Sequence, residues 1–246
     1  MTDRSLSIVI PAYCEAGNIL DTLENVTRAL APLQLTHEIL VIDDGSGDET
    51  GALVTANLSR FPTVRLLTNE RNLGFGASYR RGVDAAAFDY IVMVHGDNAW
   101  GHDTLHEFFS HVGDADIIIG YTRRMWHQRT WRRAATSKAF TFLVNVITQR
   151  WLAYYNGLQI HRASVLKSLR IESRGYGFQA EVLVKALRCT RTYREVAMDL
   201  TERTRGESQA FRLKNFVDVA RTLGVLCALR WSAPTSEGGV ARAAGR

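Results

Sequence analysis

SIVIPAYCEAGNI (residues 7–19) and EILVIDDGSGDET (residues 38–50) each run a stretch of apolar residues straight into a polar turn that carries acids. Continuous apolar runs mark strands buried on both faces, as in a parallel sheet covered by helices. Open α/β sheets bind their ligands at the carboxyl ends of such strands, so the two turns mark where function is expected. Working outward from strands at 7–10 and 38–42, further strands are predicted at 64–67, 90–94 and 116–119. Ile19, Leu20, Leu23, Val26 and Leu30 recur at helical spacing between the first two, and Leu53, Val54 and Leu58 do so after the second. This βαβαβ alternation implies an α/β fold with a mostly parallel central sheet flanked by helices.

With 246 residues, of which 46% are hydrophobic and 22% charged, the chain can bury a full core, and its length fits one domain. The formal charge of +5 suggests an anionic partner without demanding one. The arginines gather in RRMWHQRTWRR (residues 123–133) instead of a basic tail or a zinc-finger frame. That points to a local phosphate site and away from nucleic acid as a partner, although such a run taken alone reads equally well as a solvated surface. Cys14, Cys189 and Cys227 form no CxxC pair, so neither a disulfide framework nor a zinc cage is indicated, and a reducing cytoplasm fits. The first strand follows Met1 within a few residues, which leaves no room for a signal peptide. Residues 213–231 (LKNFVDVARTLGVLCALRW) come nearest to a membrane span but are interrupted by Lys214, Asp218 and Arg221. They are expected to form an amphipathic helix that packs on the domain or lies on a membrane surface. Helices are also predicted at 134–148 and 179–188, and the small, Gly-rich tail 232–246 is predicted to be disordered.

The turn residues suit a nucleotide. Pro11, Tyr13 and Glu15 offer a rigid turn, an aromatic wall and a carboxylate for a hydroxyl. Asp43 and Asp44 end the second strand, where a carboxylate can accept from a base N–H or from ribose hydroxyls; the alternative is helix capping together with Ser46 and Asp48. NERNLGFGAS (residues 69–78) contains a GxG that lets backbone approach a ligand. It lacks the third glycine of a dinucleotide fingerprint and follows the third strand, which excludes a Rossmann dehydrogenase. VMVHGDNAWG (residues 92–101) puts His95 and Asp97 at the end of the fourth strand. His102, His106 and His111 lack HExxH spacing and read as surface histidines. No G-x-S-x-G nucleophile elbow occurs.

The two turns, in this order, resemble the nucleotide-sugar half of inverting GT-A glycosyltransferases of family 2, which commonly read IPAYNE followed by VDDGS. The resemblance implies a GT-A fold, a single Rossmann-like domain over residues 1–231, with 1–119 as donor half and 120–231 as acceptor half. It assigns Pro11, Tyr13, Glu15, Ile42, Asp44, Asn72, Gly74 and Gly96 to a nucleoside-diphosphate sugar, GDP- or UDP-linked, and Asp97 with His95 to a divalent metal, manganese or magnesium. The family usually has DxD here. His95 replaces the first acid, and Ala99 stands where relatives reading HGD carry a glutamine.

Beyond Gly120 the resemblance narrows to polyprenyl-phosphate sugar synthases, the branch of dolichol-phosphate mannose synthase. Arg123 looks like that branch's arginine after the fifth strand, and Arg133 with Ser137 matches an Arg-xxx-Ser pair, so the three are assigned to the acceptor phosphate. YNGLQIHRASVL (155–166) and GFQAEVLVKAL (177–187) are similar to further segments, and ERTRGES (202–208) sets Arg203 on the donor diphosphate. Asp97, Arg123 and Arg203 form the implied catalytic set. The implied reaction is inverting transfer of a hexose, mannose or glucose, to a polyprenyl phosphate, by a cytoplasmic protein peripheral to the inner membrane face or held by a membrane-protein partner. A phosphate acceptor is already ionised near neutral pH and needs no general base; Glu181 is the one base candidate, with helix anchoring as its other reading. Two alternatives stay open: a soluble tailoring enzyme acting on a small-molecule hydroxyl or amine, and an inactive nucleotide-sugar-binding subunit, which His95 and Ala99 favour.

Overall fold

Ile8, Val9 and Ile10 and the run from Ile39 to Ile42 have no solvent exposure, so β1 (Ser5–Ala12) and β2 (Thr36–Asp43) are interior strands of a sheet covered on both faces. The computed structural model describes residues 4–122, 131–173, 177–198, 213–231 and 241–242. With β3 (Val64–Thr68), β4 (Tyr90–Met93), β5 (Ile117–Thr122), β6 (Gln159–Arg162), β7 (Thr192–Met198) and β8 (Ala241–Arg242), the sheet runs β3-β2-β1-β4-β6-β5-β7-β8. All pairings are parallel except those of β6, which is antiparallel to both β4 and β5. The mostly parallel α/β sheet expected from the sequence is present.

Alternate side chains of the central strands feed two cores. Ile8 and Ile10 point to the layer formed by α1 (Ile19–Leu30), α2 (Thr50–Ala56) and α4 (His102–Ser110), where Leu23, Val26, Phe108 and Phe109 are fully buried. Val9, Leu40 and Ile42 point to the other layer, built by α3 (Phe75–Ala85), α5 (Trp131–Thr148), α6 (Ala163–Ser168), α7 (Phe178–Cys189) and α8 (Leu213–Trp231). Register carries the strand ends to one edge: Ala12 pairs with Asp43, and Asp43 pairs with Thr68.

Three features differ from, or refine, the sequence reading. First, β6 comes from the half expected to bind acceptor yet lies between β4 and β5, so the two halves share one sheet. Arg162 at its end forms an ion pair with Asp116 (2.8 Å). Second, within the tail expected to be disordered, Ala241 and Arg242 pair with Thr192 and Tyr193 as a short edge strand; β7 would otherwise offer unpaired backbone groups there. Third, α8 is a packing helix: Thr222 and Leu226 are buried, and Leu223 and Leu229 lie against the α5–α7 layer. Among the described residues no helix is long and apolar enough to cross a membrane.

Candidate active site

The two opening turns are stitched together by hydrogen bonds. The Cys14 N–H donates to Ser46 Oγ (3.0 Å), the Glu15 N–H to Thr50 Oγ1 (2.9 Å) and the Ala16 N–H to Asp48 Oδ2 (3.1 Å). Three consecutive backbone donors of the first turn are thus satisfied by alternate side chains of the second. Ser46 and Asp48 therefore act across the turns, and Asp48 Oδ1 also accepts from the Thr50 N–H at the start of α2 (3.1 Å), so the capping alternative holds for Asp48 beside its bridging role. Asp43 closes its own turn by accepting from the Ser46 N–H (3.0 Å).

Asp44 reaches the opposite way. It accepts from the N–H groups of Leu73 (2.9 Å) and Gly74 (2.8 Å) and from Asn69 Nδ2 (2.7 Å), which fixes the loop that enters α3. The loop passes directly over Gly45, whose φ is +68° and where a Cβ would sit 2.5 Å from the Arg71 carbonyl carbon. Only glycine fits both the left-handed backbone and the contact. Gly74, with φ +89°, turns the chain into the helix.

The segment after β4 is tied to α1. Thr22 donates its hydroxyl to the Gly96 carbonyl (3.0 Å), and Asn25 Nδ2 donates to Asn98 Oδ1 (2.7 Å). This holds His95 and Asp97, both half-buried, facing the two turns across a cleft of about 310 Å³. The cleft is lined by Pro11, Tyr13, Glu15, Asp44, Asn72, Gly74, His95, Gly96 and Asp97, so the structure brings together all nine of the pocket and metal candidates other than Ile42, from three strand ends and, for Asn72 and Gly74, from the β3–α3 loop. Ile42 is not in the cleft; its side chain is fully buried in the α3 layer, the inward position that strand alternation dictates. Ala12, Phe75 and Ser78 also line it and were not anticipated. The last two are three residues apart on α3 and so share a face, a signal present in GFGAS once the helix is placed after Gly74.

One carboxylate and one imidazole, Asp97 and His95, are the metal-ligating types facing this cleft with Glu15 and Asp44. Among the described residues no group of three or more His, Cys, Asp or Glu is arranged to hold a metal by itself. The pair fits a metal that takes most of its ligands from substrate and water, and a nitrogen donor favours manganese over magnesium.

Glu181 lies apart from the cleft, with a fully buried side chain. It accepts from Lys185 Nζ (2.6 Å) and from the N–H groups of Glu172 (2.9 Å) and Ser173 (2.7 Å). Burial alone would raise its pKa, but these donors outweigh that and hold it below the usual carboxylate range. It is an anchor for the chain entering α7. His106 and His111 bond to the Ala29 carbonyl (3.1 Å) and to Asp114 Oδ2 (2.9 Å). Of the acceptor candidates, Ser137 is half-buried on α5, and Arg133 stands one turn earlier on the same helix. Arg123 and Arg203, and the Arg133 side chain, lie outside the described residues.

Comparison with known proteins gives the same direction. Residues 7–170 match the model of glycosyl transferase family 2. An uncharacterized glycosyltransferase of Synechocystis sp. is 27% identical over 58% of this chain, which spans only 45% of that protein. Undecaprenyl-phosphate mannosyltransferase of Micrococcus luteus is 26% identical, with 82% of this chain and 85% of the relative covered. Polyprenol monophosphomannose synthase of Mycolicibacterium smegmatis is 30% identical, with 85% and 81% covered. Among solved structures, glucosyl-3-phosphoglycerate synthase of Mycobacterium tuberculosis, crystallised with Mn2+, UDP and glucosyl-3-phosphoglycerate, superposes with a TM-score of 0.60 at 18% identity, over 95% of this chain and 82% of that one, a likeness of fold. The two laced turns, the cleft they form at the strand ends and the family match over two thirds of the sequence place the chain in glycosyl transferase family 2, to which it belongs.

Proposed function

We propose that the protein transfers a hexose from a nucleoside-diphosphate sugar to a polyprenyl phosphate, with inversion, by single displacement. The observation that carries this reading is the cleft at the carboxyl ends of β1, β2 and β4, where Tyr13, Glu15, Asp44, His95 and Asp97 converge. The names of the Micrococcus and Mycolicibacterium relatives support the acceptor.

Tyr13, half exposed at the mouth, offers a stacking face for a base. Asp44 already accepts three hydrogen bonds; a carboxylate has about four acceptor positions, so one remains for a base N–H or a ribose hydroxyl. Asp97 and His95 would hold a divalent cation against the diphosphate, where it supplies positive charge to the leaving group. Arg203 adds charge on the same diphosphate, while Arg123, Arg133 and Ser137 hold the acceptor phosphate. Two anions must be brought together, which is work for guanidinium groups and a metal. Glu181, committed to its anchoring contacts, takes no proton.

A lipid acceptor brings the protein to a membrane surface, and α5 is the element suited to meet it. Phe142, Leu143, Val146 and Trp151 are 58%, 47%, 46% and 69% exposed. Lys138 lies one turn before them, and Arg230 donates to the Ile147 carbonyl beside them (3.5 Å). Apolar side chains fringed by cations suit an anionic lipid interface.

Isothermal titration with UDP, GDP, ADP and CDP, each with and without Mn2+, tests the donor site. One nucleotide should bind with clear preference and more tightly with metal. No binding by any of them would remove the reading.

A further inference from the structure

The imidazole of His95 does not stand alone at the cleft. Phe75, the first residue of α3, stacks on it with ring centroids 5.2 Å apart and planes 11° from parallel. Phe75 in turn meets the edge of Phe178 (6.1 Å, 87°), and Phe178 meets the edge of Tyr79 (5.4 Å, 87°). Phe178 and Tyr79 are 2% and 3% exposed, so the far end of this ladder is fixed in the core between α3 and α7. His95 itself lies in irregular chain beyond the end of β4.

We propose that Phe75 is a positioning residue for the donor site: it sets the ring plane of His95 at the cleft, and through Phe178 it links that setting to α7. The inference rests on the donor-site reading above. A histidine ring turns about two side-chain bonds, and a parallel neighbouring ring favours one plane. An aspartate at this place would need no such support, because a carboxylate presents two equivalent oxygens. The stack is therefore tied to the histidine in particular.

The strength of an aromatic pair corresponds to about a two- to tenfold effect on an equilibrium, and this sets the size of the signal. The experiment measures Mn2+-dependent binding of UDP or GDP, whichever the wild type prefers, by calorimetry in wild type, Phe75→Leu, Phe75→Tyr, His95→Asp and the double variant Phe75→Leu/His95→Asp. Thermal unfolding of each keeps folding in view. Phe75→Leu should weaken metal-dependent binding about two- to tenfold, more than it weakens binding without metal, and Phe75→Tyr, which keeps the ring, should retain most of the wild-type metal dependence. In the His95→Asp background, Phe75→Leu should have a smaller effect, since the coupling acts through the imidazole. Wild type that binds no nucleotide overturns both this inference and the donor-site reading. Wild type that binds, together with a Phe75→Leu loss that is absent, independent of metal or equal in the two backgrounds, overturns this inference alone. Should Phe75→Leu not fold, a Phe75→Tyr variant with weakened metal-dependent binding would count against it, because the stacking ring is still there.

Discussion

Asp44 and Asp97 face the same cleft but are built in differently, and mutation separates them. Asp44 carries two backbone N–H groups and an amide, and it is 3% exposed. Asp44→Ala leaves these donors unsatisfied, so it should cost about 1–3 kcal/mol of stability and weaken nucleotide binding even without metal. Asp97 is half-buried on the cleft wall and accepts from the Ala99 N–H (3.3 Å), and Asp97→Ala should abolish the metal-dependent part of binding at a smaller cost in stability than Asp44→Ala. Chemical denaturation and calorimetry on both variants check this. Glu181→Gln gives the opposite pattern: loss of the charge facing Lys185 should lower stability by about 1–3 kcal/mol, while turnover per folded molecule stays within about threefold, far less than the 10²- to 10⁴-fold contribution of a general base. His161 is a third case. It is fully buried on β6, and desolvation lowers its pKa to about 3. The folded state keeps it neutral while the unfolded chain protonates near pH 6.5, so its stabilisation is complete above pH 6.5 and is lost as pH falls from there towards 3, at about 1 kcal/mol per pH unit. Urea titrations between pH 7.5 and 5 should show this slope in wild type and a flatter one in His161→Gln.

At the scale of elements, β1, β2, β4 and β5 were legible because strands buried on both faces spell continuous apolar runs, β3 at the sheet edge was legible from its shorter apolar run, and the residues that end β1, β2 and β4 mark the cleft. β6 and β7 were not. Gln159 and His161 make β6 look polar although both are buried, with His161 bonding to Gln159 (3.1 Å), and TYREVAM in β7 is half-buried along most of its length. Nothing local reveals a strand whose polar side chains are satisfied by distant partners. The lacing by Ser46, Asp48 and Thr50 was hidden for the same reason: their acceptor roles cross thirty residues of sequence. The membrane element also moves. Residues 213–231 were expected to pack on the domain or to lie on a membrane surface; Leu226, 1% exposed, shows the packing, and the exposed apolar cluster lies on α5 and at Trp151 just beyond it. Truncation before α8 should therefore unfold the domain, read as loss of the thermal transition. Phe142→Ser/Trp151→Ser should keep the fold and reduce flotation with anionic vesicles about tenfold or more, roughly the transfer energy of one large side chain.

For the whole molecule, a single sheet joins the cleft at the ends of β1, β2 and β4 to the elements expected to hold acceptor, with β6 of one half inserted among the strands of the other. The helix carrying Arg133 and Ser137 packs through Val144, Phe140 and Ile147 into the layer that covers this same sheet. The acceptor decides between the lipid-phosphate reading and a soluble tailoring enzyme, and the chemistry offers a sharp contrast: a phosphate needs cations to hold it, an alcohol needs a base to activate it. The most direct measurement is the rate of hexose transfer from the preferred nucleotide sugar to polyprenyl phosphate, beside the matching free polyprenol and a set of small alcohols, for wild type, Arg133→Ala and Arg133→Lys. Wild type should glycosylate the phosphate alone; Arg133→Ala should lower that rate about 10- to 100-fold, the worth of one charge-assisted hydrogen-bonded pair, and Arg133→Lys should recover part of it. Transfer to an alcohol but never to the phosphate, with a rate unaltered by Arg133→Ala, would contradict the account.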